Sequence, residues 1–239
     1  MKDVERFFVA ISSLATPLET EAKALAADLG TLAYEERLKL TAGLPAIVLT
    51  TVDGEAAKDL YLKLGARGHR VQICGSSDVV AAADMISLKH FQMTDDGLES
   101  AGAQLPWSDI AAIVHARHRE TKVSSTTVKE KKFDVGRAVL TGGLVMRKST
   151  QREVVTREEA TEHVLYLFRS SGDTPWLLRE LATNYGGLGA AIVASATQNF
   201  TTAIARFRAR APHARYDDSL LRRPAITDVD LYAHLMAMG

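Results

Sequence analysis

Basic side chains concentrated in the middle of the chain have the clearest potential for binding chemistry. Residues 115–157 contain eleven Lys and Arg against four acids, so eleven minus four leaves a local excess of seven positive charges. Guanidinium and ammonium groups donate charge-assisted hydrogen bonds to carboxylate and phosphate oxygens. The candidate partner-binding or phosphate-binding residues are therefore the basic residues near the centre of this segment: Lys129, Lys131, Lys132, Arg137, Arg147 and Lys148.

Three interpretations of this basic segment remain open. Its charges can be solvated in a loop, they can form a docking surface for an acidic protein, or they can bind phosphate in a lipid headgroup or a nucleic acid. Nucleic acid is the least favoured ligand, because the 29 basic and 29 acidic residues of the whole chain cancel and Phe133 is the only aromatic residue between Lys122 and Arg157. Single-stranded nucleic-acid sites normally interleave aromatic and basic residues.

Catalytic motifs are incomplete in this chain. The segment Gly-Gly-Leu-Val-Met-Arg-Lys-Ser (142–149) is similar to a phosphate-binding loop, but Arg147 occupies the position that requires glycine. His115 and His118 lie three residues apart in an expected strand, which would place them on opposite faces. Cys74 is the only cysteine. We therefore expect no enzyme activity, no metal site and no cofactor.

The N-terminal part predicts the element order β-α-α-β-α-β. Strands are expected over 7–13, 46–52 and 69–74, and helices over 16–29, 34–41 and 54–64. Thr16 and Pro17 form a helix start in which Thr16 caps the helix and Glu19 completes a capping box. Three helices covering one sheet form a two-layer domain, which we place at residues 1–82.

The last helix and strand of this part carry a resemblance. The segments Ala-Lys-Asp-Leu (57–60) and Leu-Gly-Ala-Arg-Gly-His-Arg-Val-Gln-Ile (64–73) resemble the C-terminal domain of the bacterial ribosomal stalk protein, whose fold is shared with ClpS-type adaptors. The resemblance implies a small protein-docking module. It does not imply translation-factor binding, because the corresponding segment 30–36 is acidic here rather than basic.

Strands dominate the second part of the chain. The turn Thr-Asp-Asp-Gly (94–97) separates two short strands, a strand follows Leu-Pro-Trp-Ser-Asp-Ile (105–110), and residues 164–168 form a buried strand. A helix expected to begin at Asn199 carries an apolar stripe at helical spacing: Phe200, Ala203, Ile204, Phe207 and Ala211. A bent antiparallel sheet or barrel capped by such a helix is similar to a pleckstrin-homology-like (PH-like) domain.

The expected organisation is an α+β protein with two domains. The docking domain (1–82) joins through a short helix near 79–85 to the PH-like domain (83–215), which contains the basic insertion (119–160), and a frayed tail (216–239) follows. We expect a cytoplasmic, non-enzymatic adaptor or scaffold that binds an unknown protein partner. The alternative is a peripheral membrane or phosphate-ligand module that uses the basic loop 129–148.

Overall fold

The computed structural model describes residues 4–133, 147–223 and 228–239, with side chains for these ranges except 119–133 and 147–160. It confirms the α+β class, with three sheets and a helix near the C-terminal end. One compact unit comprises the described residues up to His118 and from Glu162 onward, and a second unit spans Arg119–Thr161. Among the described residues, no helix is long and apolar enough to cross a bilayer.

The N-terminal elements follow the expected order. Strand β1 (Phe7–Ser13) lies between β2 (Ala46–Thr51) and β3 (Arg70–Gly75) and pairs antiparallel with both. Helices α1 (Leu18–Leu29), α2 (Ala33–Thr41) and α3 (Gly54–Ala66) complete this part. Gly30 ends α1 with a φ of 66°, a left-handed conformation that glycine adopts without strain.

The expected Thr16 cap is not formed. Pro17 occupies the cap position of α1 without a side-chain hydrogen bond, and the Thr16 hydroxyl is buried with no partner. Helix α3 instead has a full cap, because the Asp53 carboxylate accepts hydrogen bonds from the backbone N–H groups of Glu55 and Ala56.

Alternating residues of β1 build two different cores. Val9 and Ile11 face α1, α2 and α3, whereas Phe8 and Ala10 belong to a separate cluster on the opposite face of the sheet. Side chains alternate across a strand with a period of two, so residues 7–11 of this central strand meet one core or the other, whereas Ser13 at its end is exposed. Both faces of the N-terminal sheet are therefore covered.

The second part contains two further sheets. Short strands form a three-stranded antiparallel sheet in the order β5-β6-β7, made of β5 (Gln92–Met93), β6 (Gly97–Ser100) and β7 (Ala103–Pro106). The five-stranded sheet has the order β11-β8-β9-β10-β4, made of β4 (Ile86–Ser87), β8 (Ile110–Phe133), β9 (Arg147–Arg169), β10 (Trp176–Arg179) and β11 (Arg215–Asp217). Strands β4 and β11 pair parallel with their neighbours, so this sheet is mixed.

Helix α4 (Ala196–Arg210) covers one face of the five-stranded sheet, as its apolar stripe predicts. Phe200, Ile204 and Phe207 are buried in a cluster with residues of both sheets in this part. The helix begins earlier than expected, because the Ser195 hydroxyl caps it by accepting from the Gln198 N–H. Asn199 lies inside the helix, and its side chain hydrogen-bonds the backbone of Val193.

Two segments differ from the expectation. Residues 79–85 form no helix. The segment expected as a frayed tail contains helix α5 (Val229–Met238), most of whose residues are buried. Helix α5 is ordered because each of two sheets presents an apolar face to it: Leu231 and Leu235 pack on the N-terminal sheet, whereas Val229 and Met236 pack on the five-stranded sheet. The boundary near residue 82 stays a prediction.

Candidate anion-binding pocket

The structure does not describe the side chains of the residues predicted from the sequence to bind a ligand. Lys129, Lys131 and Lys132 lie in strand β8, and Arg147 and Lys148 lie in β9, within the parts of those strands whose side chains are not described. Arg137 lies outside the described residues. The binding role of this basic segment therefore stays a prediction.

Arginines from distant parts of the chain line a different cavity, which we call the arginine pocket. It has a volume of about 490 Å³ and lies where the ends of β1 and β3 and the α2–β2 loop meet the segment from β11 to α5. Its lining consists of four arginines, one aspartate, two serines and three other residues: Arg70, Arg215, Arg222, Arg223, Asp217, Ser12, Ser219, Gly43, Leu44 and Met236.

Asp217 holds the Arg215 guanidinium in place. One carboxylate oxygen accepts from Arg215 Nη2 at 3.1 Å, and the other accepts from the Ser219 backbone N–H at 2.8 Å. The same carboxylate thus fixes an arginine and the start of the short 3-10 helix Ser219–Arg222. An arginine that is already oriented loses less side-chain entropy when it binds an anion.

Arg223 is oriented by a ring and a carbonyl. Its guanidinium carbon lies 4.4 Å from the centre of the Tyr232 ring on α5, and Nη1 donates to the carbonyl oxygen of Pro45. Its Nε is buried and has no hydrogen-bond partner. A buried guanidinium donor without an acceptor is costly, and an anion in the adjacent pocket is a chemically suitable acceptor for it.

The other two arginines are exposed at the pocket. Among the described residues, Arg222 has only a long ion pair, 3.7 Å from its Nη2 to the Asp218 carboxylate, and its side chain is 83% exposed. Arg70 is the first residue of β3, and it has no ion-pair partner within the ranges that the structure describes. The pocket thus combines two oriented arginines with two that can adjust to a ligand.

The charge of the lining favours an anion. Four guanidinium groups and one carboxylate leave four minus one, or three, formal positive charges around a single concave site. The Ser219 hydroxyl adds a neutral polar group, whereas the Ser12 hydroxyl already donates to the Arg70 carbonyl oxygen. Leu44 and Met236 add an apolar wall. Arginine presents paired N–H donors that match the geometry of phosphate and carboxylate oxygens.

A histidine pair forms a second cluster, between α4 and the five-stranded sheet. His115 Nε2 and His163 Nδ1 lie 3.0 Å apart, and His115 Nδ1 lies 3.4 Å from the Tyr216 hydroxyl. Burial, together with the neighbouring His163, lowers the pKa of His115 to about 4. Burial alone would raise the Glu180 pKa, but hydrogen bonds from Thr197 and from the His163 backbone lower it.

Within the described part of the chain, no three His, Cys, Asp or Glu side chains come together as metal ligands. Cys74 is buried, as expected of a small apolar side chain, and burial raises the pKa of its thiol to about 11. A larger depression of about 850 Å³ beside β5 is lined mainly by neutral polar groups and glycines, with Glu99 and His90 on its walls. Neither the histidine pair nor this depression concentrates charge of one sign as the arginine pocket does.

Local sequence patterns do not reveal the arginine pocket. Arg70 follows a glycine turn, and Arg222 and Arg223 lie in the segment expected as a tail. The Arg-Arg-Pro sequence at 222–224 is the only local signal, and it does not indicate which residues oppose it. The pocket exists because folding brings β3 and β11 to the same place.

The chain was compared with protein families, curated proteins and solved structures. No family model matches the chain, and no curated protein or solved structure is significantly similar to it.

Proposed function

We propose that the protein binds a small phosphate-bearing anion in the arginine pocket. The observation that supports this function is the convergence of four arginines from two distant chain segments on one cavity of about 490 Å³. Such a volume is in the range of small-molecule sites. Phosphate is the favoured anionic group, because its oxygens can accept from several guanidinium N–H groups at once.

The ligand is a soluble phosphate monoester or the phosphate of a lipid headgroup, which share the same recognition chemistry. A concave site with an apolar wall at Leu44 and Met236 accommodates a phosphate attached to a small organic body. This proposal keeps the phosphate-ligand alternative of the sequence analysis but places the site at Arg70, Arg215 and Arg223 rather than in the basic segment. The basic segment remains a candidate for additional contacts to the same ligand.

Calorimetric titration of the full chain with inorganic phosphate and with glycerol phosphate tests the proposal. Removing one charge-assisted hydrogen-bond donor costs about 1.5–3 kcal/mol, so Arg70→Gln and Arg215→Gln should each weaken binding about 10-fold to 100-fold. The matched control is Arg37→Gln, because Arg37 pairs with Glu19 at 2.8 Å on the surface of α1 and α2 and does not line the pocket.

Vesicles distinguish the two sources of phosphate. Co-sedimentation with vesicles containing phosphatidic acid, reversed by Arg215→Gln, would identify a lipid headgroup, whereas binding of glycerol phosphate without vesicle binding would identify a soluble ligand. Wild-type protein that binds neither probe, or variants that bind as tightly as wild type, would overturn the proposal.

An adaptor role is the second candidate function, and a stripe on α2 favours it. Tyr34 and Leu38 lie one turn apart and are 65% and 52% exposed, on the side opposite the buried Glu36 and Leu40. Leu32, at the cap position of the same helix, is 66% exposed. Large apolar side chains grouped on one exposed face are typical of protein-interaction surfaces.

A protein partner with a complementary apolar face would bind through this stripe. The test is direct titration with a partner first isolated by affinity capture and then purified. Leu38→Ser should abolish binding, whereas Leu62→Ser should not, because Leu62 is similarly exposed but lies on α3. Equal loss in both variants, or in neither, would contradict a docking role for α2.

In both candidate functions we propose binding without turnover. A phosphate monoester recovered chemically unchanged after prolonged incubation would support this, and release of inorganic phosphate would refute it. We also propose the cytoplasm as the compartment, since the single Cys74 is an unpaired thiol and disulfides are rare in reducing compartments. The resemblances to the stalk domain and to PH-like domains remain proposals about the folds of the two parts.

A further inference from the structure

The arginine pocket joins two parts of the chain that are distant in sequence. Ser12, Leu44 and Arg70 belong to the N-terminal sheet and its loops, whereas Arg215 and Arg223 belong to the terminal segment, which we define as residues 215–223 and 228–238. An anion that contacts Arg70 and Arg215 at once therefore bridges the N-terminal sheet and the terminal segment.

Helix α5 is the main attachment of the terminal segment. Leu231 and Leu235 are buried with Phe8 and Ala10 of the N-terminal sheet. On its other side, α5 packs against residues of β8, β9 and β10 in the five-stranded sheet. The helix also contributes Met236 to the pocket lining and the Tyr232 ring beneath the Arg223 guanidinium. Detachment of α5 would therefore dismantle one wall of the pocket.

Polar contacts complete this attachment outside the pocket. Asp230 accepts from the Tyr166 hydroxyl at 2.8 Å and from the Ala82 backbone N–H at 2.8 Å. His234 Nε2 accepts from the Val80 backbone N–H at 3.2 Å. These contacts can be weakened by substitution without touching any arginine, which makes them useful for separating attachment from ligand binding.

Electrostatics opposes the attachment when the pocket holds no anion. Arg70 on the N-terminal sheet and the three arginines of the terminal segment line the same cavity with like charge, while Asp217 supplies the only carboxylate of that lining. Like charges repel, and a bound dianion converts this repulsion into attraction toward a common centre. Ligand binding should consequently hold the two sides together.

We infer that the phosphate-bearing ligand acts as a clamp that fastens the terminal segment, including α5, onto the N-terminal sheet. This inference rests on the proposed function of the arginine pocket and adds its regulatory consequence. Because coupling between two equilibria is reciprocal, the ligand stabilises the attached state of α5, and attachment of α5 raises the affinity for the ligand.

Hydrogen exchange of the full chain, measured with and without glycerol phosphate, tests the clamp. If detachment of α5 abolishes binding, a ligand concentration of about 100 times Kd should raise the protection of α5 amides by up to about 100-fold. Amides of α3 are the internal reference, since α3 lies away from the pocket and packs against the N-terminal sheet. Their protection should change much less.

Two variants test the reciprocal effect. Leu235→Ala weakens the apolar attachment of α5, and Tyr166→Phe removes a single hydrogen bond to Asp230 and is the milder change. Neither residue lines the pocket. The Kd for glycerol phosphate should rise by the reciprocal of the attached fraction that hydrogen exchange reports for each variant.

The possible results separate the clamp from the proposed function. If calorimetry detects no binding in wild type, the proposed function fails and the clamp fails with it. If the ligand binds but α5 protection is unchanged, or if α3 amides gain as much protection as α5 amides, the clamp is overturned and the binding function stands. Unchanged affinity in a variant whose α5 is measurably detached would also overturn the clamp.

Discussion

Acidification should destabilise the protein through the histidine pair between α4 and the five-stranded sheet. His115 has a pKa of about 4 in the folded protein, compared with an ordinary value of 6.5. Between these two pH values, His115 is therefore mostly neutral in the folded protein and mostly protonated in the unfolded chain. Stability is complete above the ordinary pKa and is lost progressively as the pH falls from 6.5 toward 4.

The magnitude follows from the difference between these two pKa values. The two pKa values differ by 6.5 minus about 4, and each pKa unit corresponds to about 1.4 kcal/mol, so the difference corresponds to roughly 3.5 kcal/mol. His115 is only partly buried, and solvent screening reduces the expected loss to about 2 kcal/mol. Groups facing His115 on neighbouring elements are His163, Tyr216, Glu180 and Asp218, of which the two carboxylates oppose the shift.

Urea denaturation at neutral pH and at about pH 4 should measure this loss, with His115→Gln as the comparison. Glutamine keeps a polar side chain but cannot take up the proton. The variant should therefore lose about 2 kcal/mol less than wild type between the two pH values. The lowered pKa of His234 destabilises both proteins alike on acidification and cancels in the difference. The lowered pKa of Glu180 cancels only in part, because His115 is the last of the groups that lower it. Equal losses in both proteins would refute the assignment to His115.

Three other substitutions or measurements test the packing of the described core. Phe207→Ala should cost about 3–5 kcal/mol in urea denaturation, because the ring is fully buried with its centre 5.7 Å from that of Phe91. Gly187→Ala should markedly lower the melting temperature, because a Cβ at this position would lie 2.2 Å from the Phe91 carbonyl oxygen. The Cys74 thiol, with its pKa of about 11, should react with a thiol reagent at neutral pH far more slowly than in the denatured chain.

Matched variants show whether lost burial at Phe207 and a steric clash at Gly187 cause the expected destabilisation. Phe207→Leu retains most of the buried volume and should cost less than the alanine substitution. Gly65→Ala introduces a Cβ with no heavy atom within 4 Å in helix α3, so it should be neutral or stabilising. A fully reactive Cys74 in the folded protein, or equal effects of the paired substitutions, would contradict the described packing.

The N-terminal part was predictable because its signals are local. Strand β1 has the expected bounds, and Gly30 and Gly68 follow the helices that they were expected to end. The buried face of α4 was also evident from the spacing of Phe200, Ile204 and Phe207. In each case the signal lies within one segment: a glycine marks the end of a helix, or periodicity specifies which side is apolar.

Features that depend on distant pairing were not predictable. The alanine-rich segment 79–85 favours a helix by propensity, yet the N–H groups of Val80 and Ala82 donate to His234 and Asp230 on α5. Arg70 and Arg215 face one cavity although 215 minus 70, or 145, positions separate them. The arginine pocket could therefore not be predicted from spacing, since the chain folds back on itself to form it.

Placement of α5 between two sheets also constrains how the protein is made. The N-terminal sheet and the five-stranded sheet each keep an apolar face uncovered until α5 packs on them. During synthesis these residues leave the ribosome after all the strands they cover, so the nascent chain exposes both faces until translation has passed position 238. Chaperone dependence should consequently be greatest late in synthesis, when both sheets have formed but α5 has not yet packed against them.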